Sequence, residues 1–283
     1  MIPILKEGCD YLKKRNVPEP EVSSEFLLSH VLNVGRAQIQ GGRIGPVSPD
    51  EKNKFFALIG LRAHREPLAY VTGNQPFLDL TFLCGAGALI PRPETEELVF
   101  KVFKILEGRE KEEFLFLDIG AGTGAISISL AHRFEKARIL AMEKSLRAMS
   151  WMKKNLSFYP EEARRISLIH QDMLEDWNLE NLKFDLIASN PPYIPSSEIK
   201  NLEPEVLKEP RLALDGGPDG LKYLRRIFSR AAKYLKPKGL VVAEIGFGQG
   251  KKIRTIMEKA GFKRAEVQRD FAGIERLAIA QKD

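Results

Sequence analysis

The first third of the chain carries apolar residues at helical spacing. Three segments place apolar side chains three or four positions apart, at residues 4–14, 22–32 and 52–62, and this spacing predicts amphipathic helices. The third segment follows Ser48-Pro49-Asp50-Glu51, in which Ser48 is the predicted N-cap and Glu51 the acid that reaches back to it. The pattern therefore predicts a small helical N-terminal domain, which we assign to residues 1–73.

The pattern changes after this domain. Between residues 77 and 90, short apolar runs around Gly85-Ala86-Gly87 predict a β-hairpin that links two domains, assigned to residues 74–90. From residue 114 onward, short apolar runs alternate with helical stretches, which predicts parallel strands with crossover helices on both faces. The apolar runs lie at residues 114–119, 138–142, 166–170, 184–189 and 240–245, and the helical stretches lie near residues 125–134, 146–156, 221–235 and 250–260.

The end of the chain predicts one reversed strand. The last two apolar runs, residues 262–267 and 274–280, have no long helix between them, so we expect an antiparallel pair. A parallel sheet with one reversed strand is more typical of a methyltransferase than of a dinucleotide-binding protein. We predict an α/β fold, with a seven-stranded, mostly parallel, Rossmann-like sheet over residues 91–283.

Composition and charge exclude several classes of protein. The chain of 283 residues is 43% hydrophobic and 29% charged, which is ordinary for a globular protein, and no apolar run approaches the length of a membrane span. Two cysteines and four scattered histidines form neither a disulfide framework nor a metal-ligand pattern. The net charge of +6 comes from scattered basic residues, most simply interpreted as solvated helix faces. We expect a cytoplasmic, metal-free protein that forms no stable complex with nucleic acid.

A glycine-rich loop follows the first strand of the predicted sheet. In Asp118-Ile119-Gly120-Ala121-Gly122-Thr123-Gly124-Ala125, glycines supply positive φ and let the backbone approach a ligand closely. Gly120, Gly122 and Ala125 satisfy the fingerprint of nicotinamide cofactors, and Glu143 follows at nearly the spacing of its ribose-binding acid. The loop alone therefore fits two cofactors.

Asp118 favours S-adenosylmethionine. A carboxylate at the tip of this strand would repel a pyrophosphate at the helix N-terminus, whereas S-adenosylmethionine carries an ammonium and a sulfonium. Glu143, at the end of the second strand, can then accept hydrogen bonds from both ribose hydroxyls. Asp172, after the third strand, is placed either to accept from the adenine amino group or to cap a helix.

The fourth strand runs directly into Asn190-Pro191-Pro192-Tyr193, which we call the NPPY loop. An amide or arylamine nitrogen is a poor nucleophile because its lone pair is delocalised. The Asn190 side-chain carbonyl and the Pro191 backbone carbonyl can accept hydrogen bonds from its two N–H groups, which would orient it and raise its electron density. The two prolines make the loop rigid, and the ring of Tyr193 can pack on the planar target. The predicted catalytic residues are therefore Asn190, Pro191, Pro192 and Tyr193.

These motifs resemble those of the N(5)-glutamine methyltransferases that modify peptide chain release factors, a class I methyltransferase family. The NPPY loop alone is also similar to that of adenine-specific DNA methyltransferases. Four further segments carry the more specific likeness: residues 66–73, residues 89–98 with Arg92-Pro93-Glu94-Thr95-Glu96, residues 209–221, and residues 243–246 with Gln249. Two departures are Glu143, where the family more often has aspartate, and Gln171, where it commonly has glycine.

The resemblance implies the reaction and its partners. It implies methyl transfer from S-adenosylmethionine to the glutamine of a Gly-Gly-Gln loop in a release factor, recognised in part by the N-terminal helices. Ribosomal-protein glutamine methylation and nucleic-acid amino methylation remain the alternatives. Arg92 is expected to pair with Glu94 or Glu96 or to order the loop over the cofactor, and both Arg92 and Pro93 are expected to line the pocket. The alternative is a helix N-terminus that begins at the proline with acids in its first turn, and the two can hold together. The expected cofactor-binding residues are Arg92, Asp118, Gly120, Ala121, Gly122, Thr123, Gly124, Glu143, Asp172 and Asn190.

Overall fold

A computed structural model describes residues 2–179 and 181–283 of the chain. The chain forms two compact units. The first consists of Met1–Asn74 together with Glu203–Lys208, and the second consists of Gln75–Leu202 together with Glu209–Asp283. The short segment Glu203–Lys208 therefore belongs to the helical N-terminal unit. The sequence analysis instead placed it in the predicted sheet domain, residues 91–283.

The first unit is built from helices that pack around one apolar core. Leu12, Leu27, Leu28, Phe55 and Ile59 are fully buried in this core. The helices are α1 (Pro3–Lys13), α2 (Pro20–Leu32), α3 (Arg36–Gln40), α4 (Pro49–Ala63) and α5 (Leu68–Thr72). The three long ones match the predicted segments, whereas α3 and α5 have five residues each and are too short to show a helical period.

The start of α4 and the segment Glu203–Lys208 are each fixed by polar groups within this unit. The Ser48 backbone N–H donates to Glu51 at 2.8 Å and the Glu51 N–H donates to the Ser48 hydroxyl at 3.3 Å, so the predicted capping box is confirmed. Arg62 and Arg65 each donate a hydrogen bond of 2.6 Å to Oε1 of Glu205. Burial raises the pKa of Glu205, but the two arginines outweigh this effect and lower it overall.

The linking hairpin lies earlier in the chain than predicted. Its strands are β1 (Asn74–Phe77) and β2 (Leu80–Leu83), and the turn is at Leu78-Asp79, where Leu78 has a φ of 54°. The expectation that the strands flank Gly85-Ala86-Gly87 was wrong. The sequence of β1, Asn-Gln-Pro-Phe, has no apolar alternation that would have indicated a strand.

The second unit contains a seven-stranded sheet in the order β5-β4-β3-β6-β7-β9-β8. Neighbouring strands are parallel except that β9 is antiparallel to both β7 and β8. This single reversed strand confirms the predicted mixed sheet. The strands are β3 (Leu115–Ile119), β4 (Arg138–Glu143), β5 (Ile166–His170), β6 (Phe184–Ser189), β7 (Leu235–Glu244), β8 (Arg264–Arg269) and β9 (Glu275–Gln281).

Helices cover both faces of this sheet. Alternate residues of the strands, such as Phe116 and Leu117, are fully buried in two different apolar clusters, as expected when successive side chains point to opposite faces. One cluster includes residues of α6 and α7, and the other includes residues of α10 and α11. The helices are α6 (Pro93–Ile105), α7 (Ala125–Arg133), α8 (Leu146–Phe158), α9 (Pro160–Ala163), α10 (Lys222–Tyr234) and α11 (Gly250–Lys259).

Residues 209–221 pack closely against the NPPY loop and the residue that follows it. Ile194 donates its N–H to Leu214 O at 3.0 Å, and Gly216 donates to Ile194 O at 2.8 Å. A Cβ at Gly216 would lie 2.8 Å from Pro192 O, from the Tyr193 Cα and from Gly220 O. Because backbone atoms cannot move aside as a side chain can, this close approach requires glycine.

Gly216→Ala should therefore destabilise the second unit by about 1–3 kcal/mol, the usual cost of forcing extra volume into a packed site. Chemical denaturation followed by tryptophan fluorescence measures this, since Trp151 and Trp177 both lie in this unit. Gly45→Ala is the matched control, because a Cβ there meets no atom within 4 Å. Equal stability of Gly216→Ala and wild type would contradict the close packing.

Candidate active site

An open cleft of about 690 Å³ lies in the second unit, at the edge where the parallel strands β3, β4, β5 and β6 end. Ligands bind at the carboxyl ends of the strands in sheets of this kind. The lining comes from residues 87–89, the glycine loop, the ends of β4 and β5, the NPPY loop and residues 210–213. Among the predicted site residues, those that line the cleft are Gly120, Gly122, Glu143, Asp172, Asn190 and Pro192.

The glycine loop connects β3 to α7 in the backbone conformation that its sequence indicates. Gly120, Gly122 and Gly124 have φ values of 76°, 59° and 88°, which L side chains rarely adopt. Gly122 donates its N–H to Glu143 Oε2 at 2.9 Å. Ala121, Thr123 and Gly124 belong to the same turn but are not among the residues that line the cleft.

Asp118 lies deeper than the sequence suggested. Its carboxylate is fully buried, and one oxygen accepts hydrogen bonds from the Ser127 N–H at 3.1 Å and the Ser127 hydroxyl at 2.6 Å. The other oxygen, Oδ1, has no hydrogen-bond partner among the described residues. Burial raises the pKa of Asp118 to about 7. The carboxylate therefore holds the first turn of α7 and does not itself line the cleft.

Glu143 and Asp172 both reach the cleft. Glu143 is buried and accepts from Gly122 and, at 2.7 Å, from the Ser145 N–H. Burial raises the pKa of Glu143 although these bonds oppose the change. Asp172 accepts from the Leu174 N–H at 2.9 Å and pairs with Lys144 at 2.6 Å. No helix begins after Asp172 within the described residues 173–179, so the bond to Leu174 closes a turn.

The NPPY loop is held by hydrogen bonds at both ends. Asn190 is half-buried and donates from Nδ2 to the Thr95 hydroxyl at 2.7 Å, while its Oδ1 has no hydrogen-bond partner in the described part of the chain. Tyr193 donates its hydroxyl to Glu244 at 2.9 Å, and its carbonyl accepts from Gln249 at 2.9 Å. The loop therefore presents an amide carbonyl on a fixed backbone.

Sequence reasoning did not assign roles to Thr95, Glu244 and Gln249. Thr95 donates to Glu244 Oε2 at 2.7 Å, and both residues are buried. Gln249 also accepts from the Gly246 N–H at 2.9 Å. The one signal in the sequence was that each of the three lies in a segment that carries the family resemblance.

Arg92 pairs with a different acid from those expected. Its guanidinium donates to the buried carboxylate of Glu209, which also accepts from the Ile90 N–H at 2.9 Å. Pairing with Glu94 or Glu96 was therefore wrong, and Glu96 instead accepts from Leu78. Neither Arg92 nor Pro93 lines the cleft, although the predicted helix start at Pro93 is confirmed.

Within residues 2–179 and 181–283, no group of three or more histidine, cysteine or acidic residues is placed to hold a metal ion. In the same residues, no helix has both the length and the apolar composition to cross a membrane.

Comparisons with known proteins identify the family of the chain. Residues 4–73 match the PrmC N-terminal domain family, and residues 103–220 match the methyltransferase small domain family. The release factor glutamine methyltransferase of Geobacter sulfurreducens is 35% identical over 94% of this chain and 91% of its own length. The enzyme of the same name from Moorella thermoacetica is 35% identical over 98% and 97%.

A solved structure supports the fold. The 16S rRNA N2 G1207 methyltransferase of Thermus thermophilus, in complex with S-adenosylmethionine and guanosine, aligns with a TM-score of 0.53 at 20% identity, covering 74% of this chain and 50% of that chain. This likeness shows the methyltransferase fold, while the sequence relatives show the family. The chain belongs to the release factor glutamine methyltransferases.

Proposed function

We propose that this enzyme transfers a methyl group from S-adenosylmethionine to the side-chain amide nitrogen of the glutamine in the Gly-Gly-Gln loop of peptide chain release factors. The observation that carries the proposal is that Asn190 lines the cleft beside the glycine loop, with an amide carbonyl that accepts no hydrogen bond from the described residues. Translation termination takes place in the cytoplasm, and we place the reaction there.

The residues around the cleft fit S-adenosylmethionine. The acidic side chain of Glu143 lines the cleft and has lone pairs left for ribose hydroxyls, and Asp172 lies beside it for the adenine amino group. Gly120 and Gly122 line the cleft with backbone instead of side chains. Asp118 adds a buried carboxyl group, one oxygen of which has no hydrogen-bond partner among the described residues, and this favours a cationic ligand. When bound, the cofactor supplies a methyl group on an electrophilic sulfonium.

The NPPY loop prepares the acceptor nitrogen. Asn190 Oδ1 and the Pro191 carbonyl accept hydrogen bonds from the two N–H groups of the glutamine amide. This grip orients the amide and raises the electron density on nitrogen. A general base is not needed, since the alkylated nitrogen loses its proton readily. Two glycines before the glutamine add no side chain that would clash with Pro192 in the cleft lining.

The helical N-terminal unit is proposed to recognise the body of the release factor. A short Gly-Gly-Gln peptide should then react far more slowly than the whole protein, whereas equal rates would leave the helical unit without a part in recognition.

Asn190→Ala should lower the turnover number by about 10²-fold, because one well-placed polar group at the reacting centre is lost. Its affinity for S-adenosylmethionine should stay within about twofold of the wild-type value, since the other cleft residues are intact. Asn201→Ala, an exposed asparagine outside the cleft, is the matched control and should keep wild-type turnover. Wild-type turnover in Asn190→Ala would refute the proposed hydrogen bond from the glutamine amide to Asn190.

The acceptor itself is tested by mass spectrometry of three substrates under identical conditions: intact release factor, its variant with the glutamine replaced by alanine, and adenine-containing DNA. Only the intact factor should gain a methyl group. A methyl group gained by the DNA, or by the alanine variant, would refute the assignment of this glutamine as the methyl acceptor. It would leave the assignment of methyl transfer standing.

Binding of S-adenosylmethionine should tighten as the pH rises towards 7. In the free protein the pKa of Asp118 is about 7, so below that pH its carboxyl group is mostly protonated. A cationic ligand favours the ionised form, so binding releases a proton and the affinity falls by up to about tenfold per pH unit below the pKa. Calorimetric titration between pH 6 and pH 8, in two buffers of different ionisation enthalpy, measures both effects.

Asp118→Asn is the control for this dependence. It should bind more weakly at pH 8 and show a flatter profile, with any remaining slope assigned to Glu143, whose pKa burial also raises. The same slope in the variant and the wild type would exclude Asp118 as its source.

A further inference from the structure

A chain of hydrogen bonds behind the NPPY loop joins three segments that are far apart in sequence. Asn190 Nδ2 donates to Thr95 Oγ1 at 2.7 Å, and Thr95 Oγ1 donates to Glu244 Oε2 at 2.7 Å. Tyr193 donates to the other oxygen of Glu244 at 2.9 Å. Thr95 lies in the first turn of α6 and Glu244 is the last residue of β7. The chain therefore runs from a fully buried carboxylate to the amide in the cleft.

The protons in this chain can be counted. A hydroxyl group has one proton to donate, and an ionised carboxylate has none. Thr95 therefore gives its only proton to Glu244 and can only accept from Asn190. Asn190 must consequently turn its Nδ2 towards Thr95, which leaves Oδ1 facing the other way. As long as Glu244 is ionised, its lack of a proton therefore determines which end of the Asn190 amide faces away from Thr95.

The other donor to Glu244 strengthens this arrangement. Burial raises the pKa of Tyr193, with the nearby charge of Glu244 adding to the effect, so the phenol keeps its proton and donates it. Burial also raises the pKa of Glu244 to about 7, while the hydrogen bonds from Thr95 and Tyr193 oppose this change. The two donors are therefore what favours the ionised carboxylate at this buried position.

We propose that Thr95 and Glu244 are positioning residues, which hold the Asn190 amide with its carbonyl towards the acceptor nitrogen. The inference rests on the proposed function, because a hydrogen-bond acceptor at this position is needed only if the methylated nitrogen carries N–H groups. The reversed amide would present N–H to N–H and leave the glutamine amide without this hydrogen bond. Neither Thr95 nor Glu244 is among the residues that line the cleft, and both act through Asn190.

Thr95→Val tests the hydrogen-bond chain from Glu244 through Thr95 to Asn190, which we call the relay. Valine keeps the shape of threonine and removes the hydroxyl. It should lower the turnover number about tenfold or more, the equivalent of one misplaced hydrogen bond to the reacting group, with the affinity for S-adenosylmethionine within about twofold of wild type. Thr95→Ser restores the hydroxyl and should recover most of the activity. Ser129→Ala removes a buried hydroxyl that has no partner among the described residues, and should behave as wild type.

A double-mutant cycle separates positioning from a purely structural role. If Thr95 acts only through Asn190, Thr95→Val should cost nothing further in the Asn190→Ala background. An independent structural role would lower turnover by the same factor in both backgrounds. Glu244→Leu tests the same relay, because leucine has a comparable size and offers no acceptor atom to Thr95. It supplies the evidence if Thr95→Val does not fold, and it should show the same non-additivity.

The outcomes distinguish this inference from the proposed function. No methylation of the release factor by the wild-type enzyme refutes the proposed function. Methylation by the wild type, with unchanged turnover in Thr95→Val, or with Thr95→Ser as impaired as Thr95→Val, overturns the relay alone. Additive losses in the double-mutant cycle also overturn it.

Discussion

The hydrogen bond from Asn190 to Thr95 connects the interior of the sheet to the cleft. Glu244 is fully buried at the end of a central strand, and a buried carboxylate is tolerated only when donors satisfy it. Thr95 and Tyr193 are those donors. The requirement to satisfy one buried charge thus ties α6, β7 and the NPPY loop together. The same bonds leave one amide carbonyl for a ligand.

Close backbone packing makes this arrangement rigid. Gly216 and Gly220 lie so near the NPPY loop that a Cβ at either would meet its backbone at 2.8 Å or less, and Gln249 holds the Tyr193 carbonyl. Two segments that line the cleft are residues 87–89 and residues 210–213. The ion pair between Arg92 and the buried Glu209 connects the stretches of chain next to these two segments. Catalysis by positioning needs such support, because a small displacement of a polar group loses much of its effect.

The sequence was sufficient for the longer elements but not for the short ones or for the contacts between elements. The strands β5 and β6 were predicted to the residue because each is a short, mostly apolar run bounded by polar residues, and the capping box at Ser48 is a local motif. The turn at Leu78-Asp79 was missed because β1 has no strand pattern. Thr95 and Glu244 contact each other across 149 residues, a distance over which no periodicity carries information. Resemblance marked their segments without revealing that they bind each other.

The most direct measurement is a crystal structure of the enzyme with S-adenosylhomocysteine and a release factor. Asn190 Oδ1 and the Pro191 carbonyl should each lie within about 3.2 Å of the glutamine amide nitrogen, while Asn190 Nδ2 stays on Thr95. A glutamine nitrogen held by other groups, or an Asn190 whose carbonyl is bound to Thr95, would contradict this account of how the acceptor is prepared.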